Sequence, residues 1–136
     1  MTMPQVIRGV CRDQRGSGTA ELVIVMPVLL LLFVLIAQFA LYMHAAHIAQ
    51  TAAAQGLSAA RVAGGSPGAG TAESQRVLAQ LGGGPLRGTS VHVQRSADQA
   101  SVQVRGEVVS VVPLVSLAVH AEAVGPVEKF SPAVSP

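Results

Sequence analysis

From Leu22 to Met43 the chain runs LVIVMPVLLLLFVLIAQFALYM, twenty-two residues without a charged side chain and with Gln38 as the main polar interruption. At about 1.5 Å of rise per residue, a helix of this length covers roughly 33 Å, against roughly 30 Å for a bilayer's hydrocarbon core. A water-soluble core helix seldom needs so long an uninterrupted run. One membrane span is therefore the first expectation, and it leaves material for only a small folded domain in a chain of 136 residues.

The flanks of the run differ. Arg8, Arg12 and Arg15 precede it, opposed only by Asp13, and the next Lys or Arg after it is Arg61. The excess of positive charge on one side predicts a cytoplasmic N-terminus, with residues 44–136 on the far side of the membrane. Residues 1–16 account for the whole formal net charge of +2. The remainder is balanced and offers no basic cluster interleaved with aromatics, so a nucleic-acid partner is not expected despite the pI of 9.3.

Beyond the span, HAAHIAQTAAAQGLSAARVA (His44 to Ala63) is rich in good helix formers. The helix is predicted to continue past the bilayer surface, with Gly56 as a weak point and Gly64-Gly65-Ser66-Pro67-Gly68 as its stop. A short helix is predicted from Thr71 or Ala72 to Leu81, with Glu73 in its first turn. It ends at Gly82-Gly83-Gly84-Pro85. The period then changes to two: Val91 and Val93, then Val102 and Val104 after a polar turn at Ser96 to Gln99, predict a hairpin. Another strand is expected from Val115 to Ala123, separated by Pro113 from the run Val108 to Val112. The expected fold is α+β: a long N-terminal transmembrane helix, then a small domain with a short helix and a three- to four-stranded antiparallel sheet. The expected segments are a leader (1–16), the helix (17–63), a Gly/Pro linker (64–70), an outer domain (71–125) and a disordered tail (126–136).

Candidate chemistry is sparse. Cys11 is the only cysteine, which rules out an intrachain disulfide. His44 and His47 share a helical face but have no neighbouring Cys, Asp or Glu to complete a metal site, and no catalytic constellation or cofactor motif is found. The informative stretch is Arg15-Gly16-Ser17-Gly18-Thr19-Ala20-Glu21-Leu22. Small residues stand between a basic leader and the apolar helix, and a carboxylate stands at the helix entrance. A secretory signal has its small-residue cleavage site after the apolar region. Here it comes before, so a cut would spare the helix. Cleavage after Gly16 would leave an ammonium on Ser17 that the Glu21 of another subunit could pair with.

This arrangement of Arg15-Gly16, a small Ser17, Glu21 and a long apolar run containing Pro27 resembles the N-terminus of the type IV pilin superfamily, especially TadE-like proteins of bacterial tight-adherence (Flp) pilus systems. The Ala-rich extension and the Val-rich C-terminal half also resemble that family. The resemblance implies a substrate of a prepilin peptidase, cut between Gly16 and Ser17, that partners other pilin or pseudopilin subunits in the cytoplasmic membrane and is not an enzyme. Leu22 stands where the major Flp pilin usually carries Tyr or Phe, and about ninety residues follow the span. Both features point to an accessory pseudopilin. Pro27 removes a backbone donor and crowds the Val23 carbonyl, which predicts a kink or a loosened turn. An uncleaved, membrane-anchored module that binds an envelope protein is the alternative.

Overall fold

The computed structural model describes residues 14–132. Five elements follow in order: α1 (Gln14–Arg61), α2 (Pro67–Leu81), β1 (Leu86–Arg95), β2 (Gln99–Val108) and β3 (Leu117–Pro126). The chain divides into two units, Met1–Ile36 and Ala37–Pro136. In the first, the described residues are helical, and large apolar side chains are mostly exposed: Leu30 is 68% and Phe33 72% exposed. This helix is long and apolar enough to cross a membrane, and a helix exposing apolar side chains all round is suited to lipid because its backbone hydrogen bonds are satisfied internally.

The second unit is an α+β domain. Its sheet is an antiparallel meander in the order β1-β2-β3. Alternation along β2 sends Ala100, Val102, Val104, Gly106 and Val108 inward and leaves Gln99, Arg105 and Glu107 exposed. Pairing aligns the apolar residues in rows: Val93 with Val102 and Ala123, Val91 with Val104 and Ala121. A shift in register between Arg87 and Ser90 coincides with Gly88 at φ +58, a conformation open to glycine at little cost.

Onto this face packs the later part of α1. Ala45, Ile48, Ala49, Ala52 and Ala53 are buried in one cluster with Val77, Leu78, Val102, Val104, Val119 and Ala121. Their spacings of three and four residues mark one helical stripe. Because the stripe is almost all alanine and the sheet face almost all valine, backbones approach closely and no aromatic filler is needed. The expected Ala-rich extension is thus the core helix of the domain, and this unit begins at Ala37, well before the expected boundary at 71.

Gly56 has a different role from the one its helix propensity suggests. A Cβ there would lie 1.9 Å from Ser74 Oγ and 2.9 Å from the Gly70 carbonyl oxygen, and one on Gly70 would lie 2.9 Å from the Ala60 Cβ. The buried Ser74 hydroxyl donates to the Ala52 carbonyl at 2.9 Å. As α2 advances from Gly70 to Ser74, its partners on α1 recede from Ala60 and Gly56 to Ala52, so the two helices run antiparallel in close contact.

Several elements begin or end elsewhere than the sequence suggests. α2 starts at Pro67, inside the expected linker, because Ser66 caps it by accepting from the Ala69 N–H at 3.1 Å and Pro67 suits the first turn. Glu73 therefore lies beyond the first turn and pairs with Arg76 at 3.6 Å. The sheet has three strands: Val109 to Val112 leave β2 as a loop, and β3 starts at Leu117 rather than Val115. The start of the expected tail is tied down, with the N–H of Val127 donating to the Asp98 carbonyl (3.0 Å) and that of Glu128 to the Arg61 carbonyl (2.8 Å). The last four residues lie outside the described ones.

The end of α1 is closed from the sheet. Arg95 Nη1 donates to the carbonyls of Ala60 (2.7 Å) and Val62 (3.3 Å) and also to that of Gly65. A cation on the last carbonyls of a helix satisfies orphan acceptors and complements the helix dipole.

Gly56→Ala tests the close packing. In an open helix the change would gain about 1 kcal/mol. Here it should instead lower the thermal midpoint of the detergent-solubilised full chain by several degrees, since overpacking typically costs about 1–3 kcal/mol. Gly83→Ala, whose Cβ would meet nothing within 4 Å, should leave the midpoint nearly unchanged.

Candidate assembly face of the N-terminal helix

Gly16, Ser17, Glu21 and Pro27 all fall within α1. Arg8 and Arg12 lie outside the described residues, and of Arg15 only the helical backbone is described. A Cβ on Gly16 or Gly18 would meet open space, so neither glycine is demanded by packing among the described residues. Their local effect is on the helix: each costs roughly 0.5–1 kcal/mol relative to Ala and makes this end the easiest part to unwind.

Glu21 is the eighth residue of α1 and is exposed. It stands about two turns in, beyond the reach of the N-terminal helix dipole, because α1 begins at Gln14. No ion pair with Glu21 forms among the described residues. The carboxylate is therefore presented beside Leu22, Val23, Ile24 and Val25, all exposed, on a surface with the composition of a helix-packing face. α1 is continuous through Pro27.

The structure also reveals a role for Gln38. Its side chain is 5% exposed. Its Oε1 accepts from the Val111 N–H at 2.7 Å and from the Ser110 hydroxyl at 3.4 Å, while its buried Nε2 has no partner among the described residues. Gln38 thus latches the β2–β3 loop to α1, and Leu41 and Tyr42 pack against the core cluster one turn on. The available signal was its position as a lone amide in an apolar run.

The histidines do not converge. His44 and His47 are exposed on α1, and His92 and His120 lie on the outer face of the sheet. Among the described residues, no group of three or more His, Cys, Asp or Glu could hold a metal ion.

One long apolar helix near the N-terminus and a small α+β domain define a single-pass membrane protein. Residues 16–57, from Gly16 into the core stripe of α1, match the family model described as TadE-like protein, and the likeness is to that segment. No curated protein and no solved structure shows a match to the chain.

Replacing Gln38 with Leu would strand the Val111 N–H. The bond is part-buried, and a hydrogen bond of this kind contributes about 1 kcal/mol. Amide exchange at Val111 in the full chain should therefore accelerate by about fivefold, at about 1.4 kcal/mol per factor of ten, with exchange in β2 unchanged. Equal exchange rates at Val111 in the two proteins would remove Gln38 as the latch.

Proposed function

We propose that this chain is a pseudopilin or minor pilin that supports assembly of a Flp, or tight-adherence, pilus through helix–helix packing after removal of its leader. The observation that carries the reading is Glu21 standing on an otherwise apolar, uncovered helix surface within the TadE-like segment. A carboxylate in such a setting is costly unless it reaches a polar interface or a cationic partner.

Cleavage between Gly16 and Ser17 by a prepilin peptidase supplies the partner. It removes the basic leader and creates an ammonium on Ser17, with Glu21 as the fifth residue of the mature chain. When mature helices pack side by side, the carboxylate of one pairs with the ammonium of its neighbour, fixing axial register as the apolar surfaces provide contact area. The glycines at 16 and 18 favour this reading by making the scissile region easy to unwind. Pro27 adds a loosened turn that lets the helix adapt on leaving the bilayer. Arg8, Arg12 and Arg15 hold the N-terminus on the cytoplasmic side, so the α+β domain faces outward from the cytoplasmic membrane.

Intact-mass measurement of the protein from its native membrane tests processing. In cells with the peptidase the mature chain should begin at Ser17, and in cells without it residues 1–16 should remain. An uncut chain in peptidase-competent cells would favour a plain membrane-anchored binding module.

Glu21→Ala tests register separately. Membrane insertion should be close to normal, while pilus number counted by electron microscopy should fall by about tenfold or more, the factor that corresponds to a lost coupling of about 1.4 kcal/mol. Normal piliation would dismiss the ion pair.

A further inference from the structure

The Ala37–Pro136 unit has two unlike ends. At one, charged residues gather: Arg95 caps α1, Arg61 faces Glu128 at 3.8 Å, and Lys129 pairs with Asp98 at 2.5 Å. At the other, Val109 N–H bonds to the Pro85 carbonyl at 2.9 Å, joining the loop after α2 to the loop after β2. Neither segment there, 77–86 or 108–119, contains a charged residue.

The β2–β3 loop is Val109-Ser110-Val111-Val112-Pro113-Leu114-Val115-Ser116. A loop of this length on a protein surface is ordinarily polar. In this one Val111 is 50% and Val115 40% exposed, and Leu114 is fully exposed. Leu114 is also held at φ +68, a left-handed conformation that costs a branched side chain energy and persists only where the surroundings impose it. The loop's partner on α1 is Gln38, five residues before the charge-free run ends at Met43. On a helix that places the latch about 7.5 Å inside the apolar run. Phe39, the next residue, is 66% exposed.

We infer that the β2–β3 loop is a second membrane-contact element, which seats Val111, Leu114 and Val115 in the interfacial zone of the same leaflet that α1 enters. The inference rests on α1 being a membrane span. Its occupant is lipid because the loop is bonded to α1 at Gln38, within the charge-free run and next in sequence to the exposed Phe39, and its own exposed side chains are apolar, with no charge or aromatic anchor for a protein partner. The depth matches too, since interfacial elements bury their apolar faces about 5–10 Å into the headgroup and acyl boundary. Irregular backbone is poorly tolerated there unless its polar groups are satisfied. The Val111 N–H is met by Gln38 (2.7 Å), and the Val112 carbonyl accepts from the Ser110 hydroxyl at 2.6 Å. Gln38 thereby sets the position of the loop on α1.

Site-directed spin labelling of the full chain tests this. In a Cys11→Ser background, nitroxides are placed by Leu114→Cys, by Leu30→Cys in the middle of the span, and by Ala97→Cys in the turn at the charged end. Each protein is reconstituted into vesicles of phosphatidylethanolamine and phosphatidylglycerol, and collision with oxygen is compared with collision with a water-soluble nickel chelate. The label at 114 should show an oxygen-to-nickel ratio several-fold above that at 97 and below that at 30, as an interfacial depth requires. A ratio at 114 equal to that at 97, with 30 still oxygen-rich, would overturn the loop's membrane contact and leave the span intact. Shielding at 114 from both reagents would mean contact with protein instead of lipid, and would also overturn it. A nickel-accessible label at 30 would overturn span and loop together.

Discussion

Close backbone approach along one face of α1 is the constraint on which the rest of the domain depends. Ala45, Ala49, Ala52, Ala53, Gly56 and Ala60 leave so little side-chain volume that a sheet and a second helix can both lie against the same helix. Small side chains contribute little hydrophobic free energy each, and the fold compensates with density: fully buried Val102 and Val104 facing alanines, and a buried serine hydroxyl bonded to a helix carbonyl. This accounts for a core built with an aromatic content of only 3%. It also makes the domain intolerant of added volume, since interiors packed backbone to backbone have no flexible side chain to move aside.

The same helix changes surroundings along its length. Up to Ile36 its apolar residues cover the whole circumference. From Ala37 a single stripe is buried while residues such as His44, His47 and Gln50 face outward. Gln38 marks the change. A lone amide within a span is a liability in lipid, and here it is withdrawn into the domain, where it holds a loop.

Elements whose signal is local were legible in the sequence. The charge-free run required a long apolar helix, the alternation at Val91–Val93 and Val102–Val104 required a hairpin, and Arg15-Gly16, Ser17 and Glu21 singled out the segment that matches a TadE-like family model. Features whose cause lies far along the chain were not. Gly56 looks like a helix weakness until Gly70 and Ser74 are seen against it. Gln38 looks like an interruption until its bond to Val111, 73 positions away, is known. Val108 to Val112 has the composition of a strand, but past Val108 its N–H groups turn to other partners, that of Val109 to the Pro85 carbonyl and that of Val111 to Gln38, and the run leaves the sheet as a loop. The start of α2 was in principle readable, because Ser66-Pro67 is a cap followed by a first-turn proline, yet the surrounding glycines masked it.

The closure of α1 by Arg95 and by the backbone N–H of Glu128 has a consequence for the order of events during synthesis. The helix leaves the ribosome first, but the groups that satisfy its last carbonyls lie 33 or more positions further on. Until β1 and the residues after β3 have emerged, the alanine stripe has no sheet to cover it and the helix end stays open. Chains generally fold by domain as they emerge, and in this domain the earliest element is completed by the latest. An interrupted translation product would consequently carry the apolar helix together with an alanine stripe that nothing yet covers.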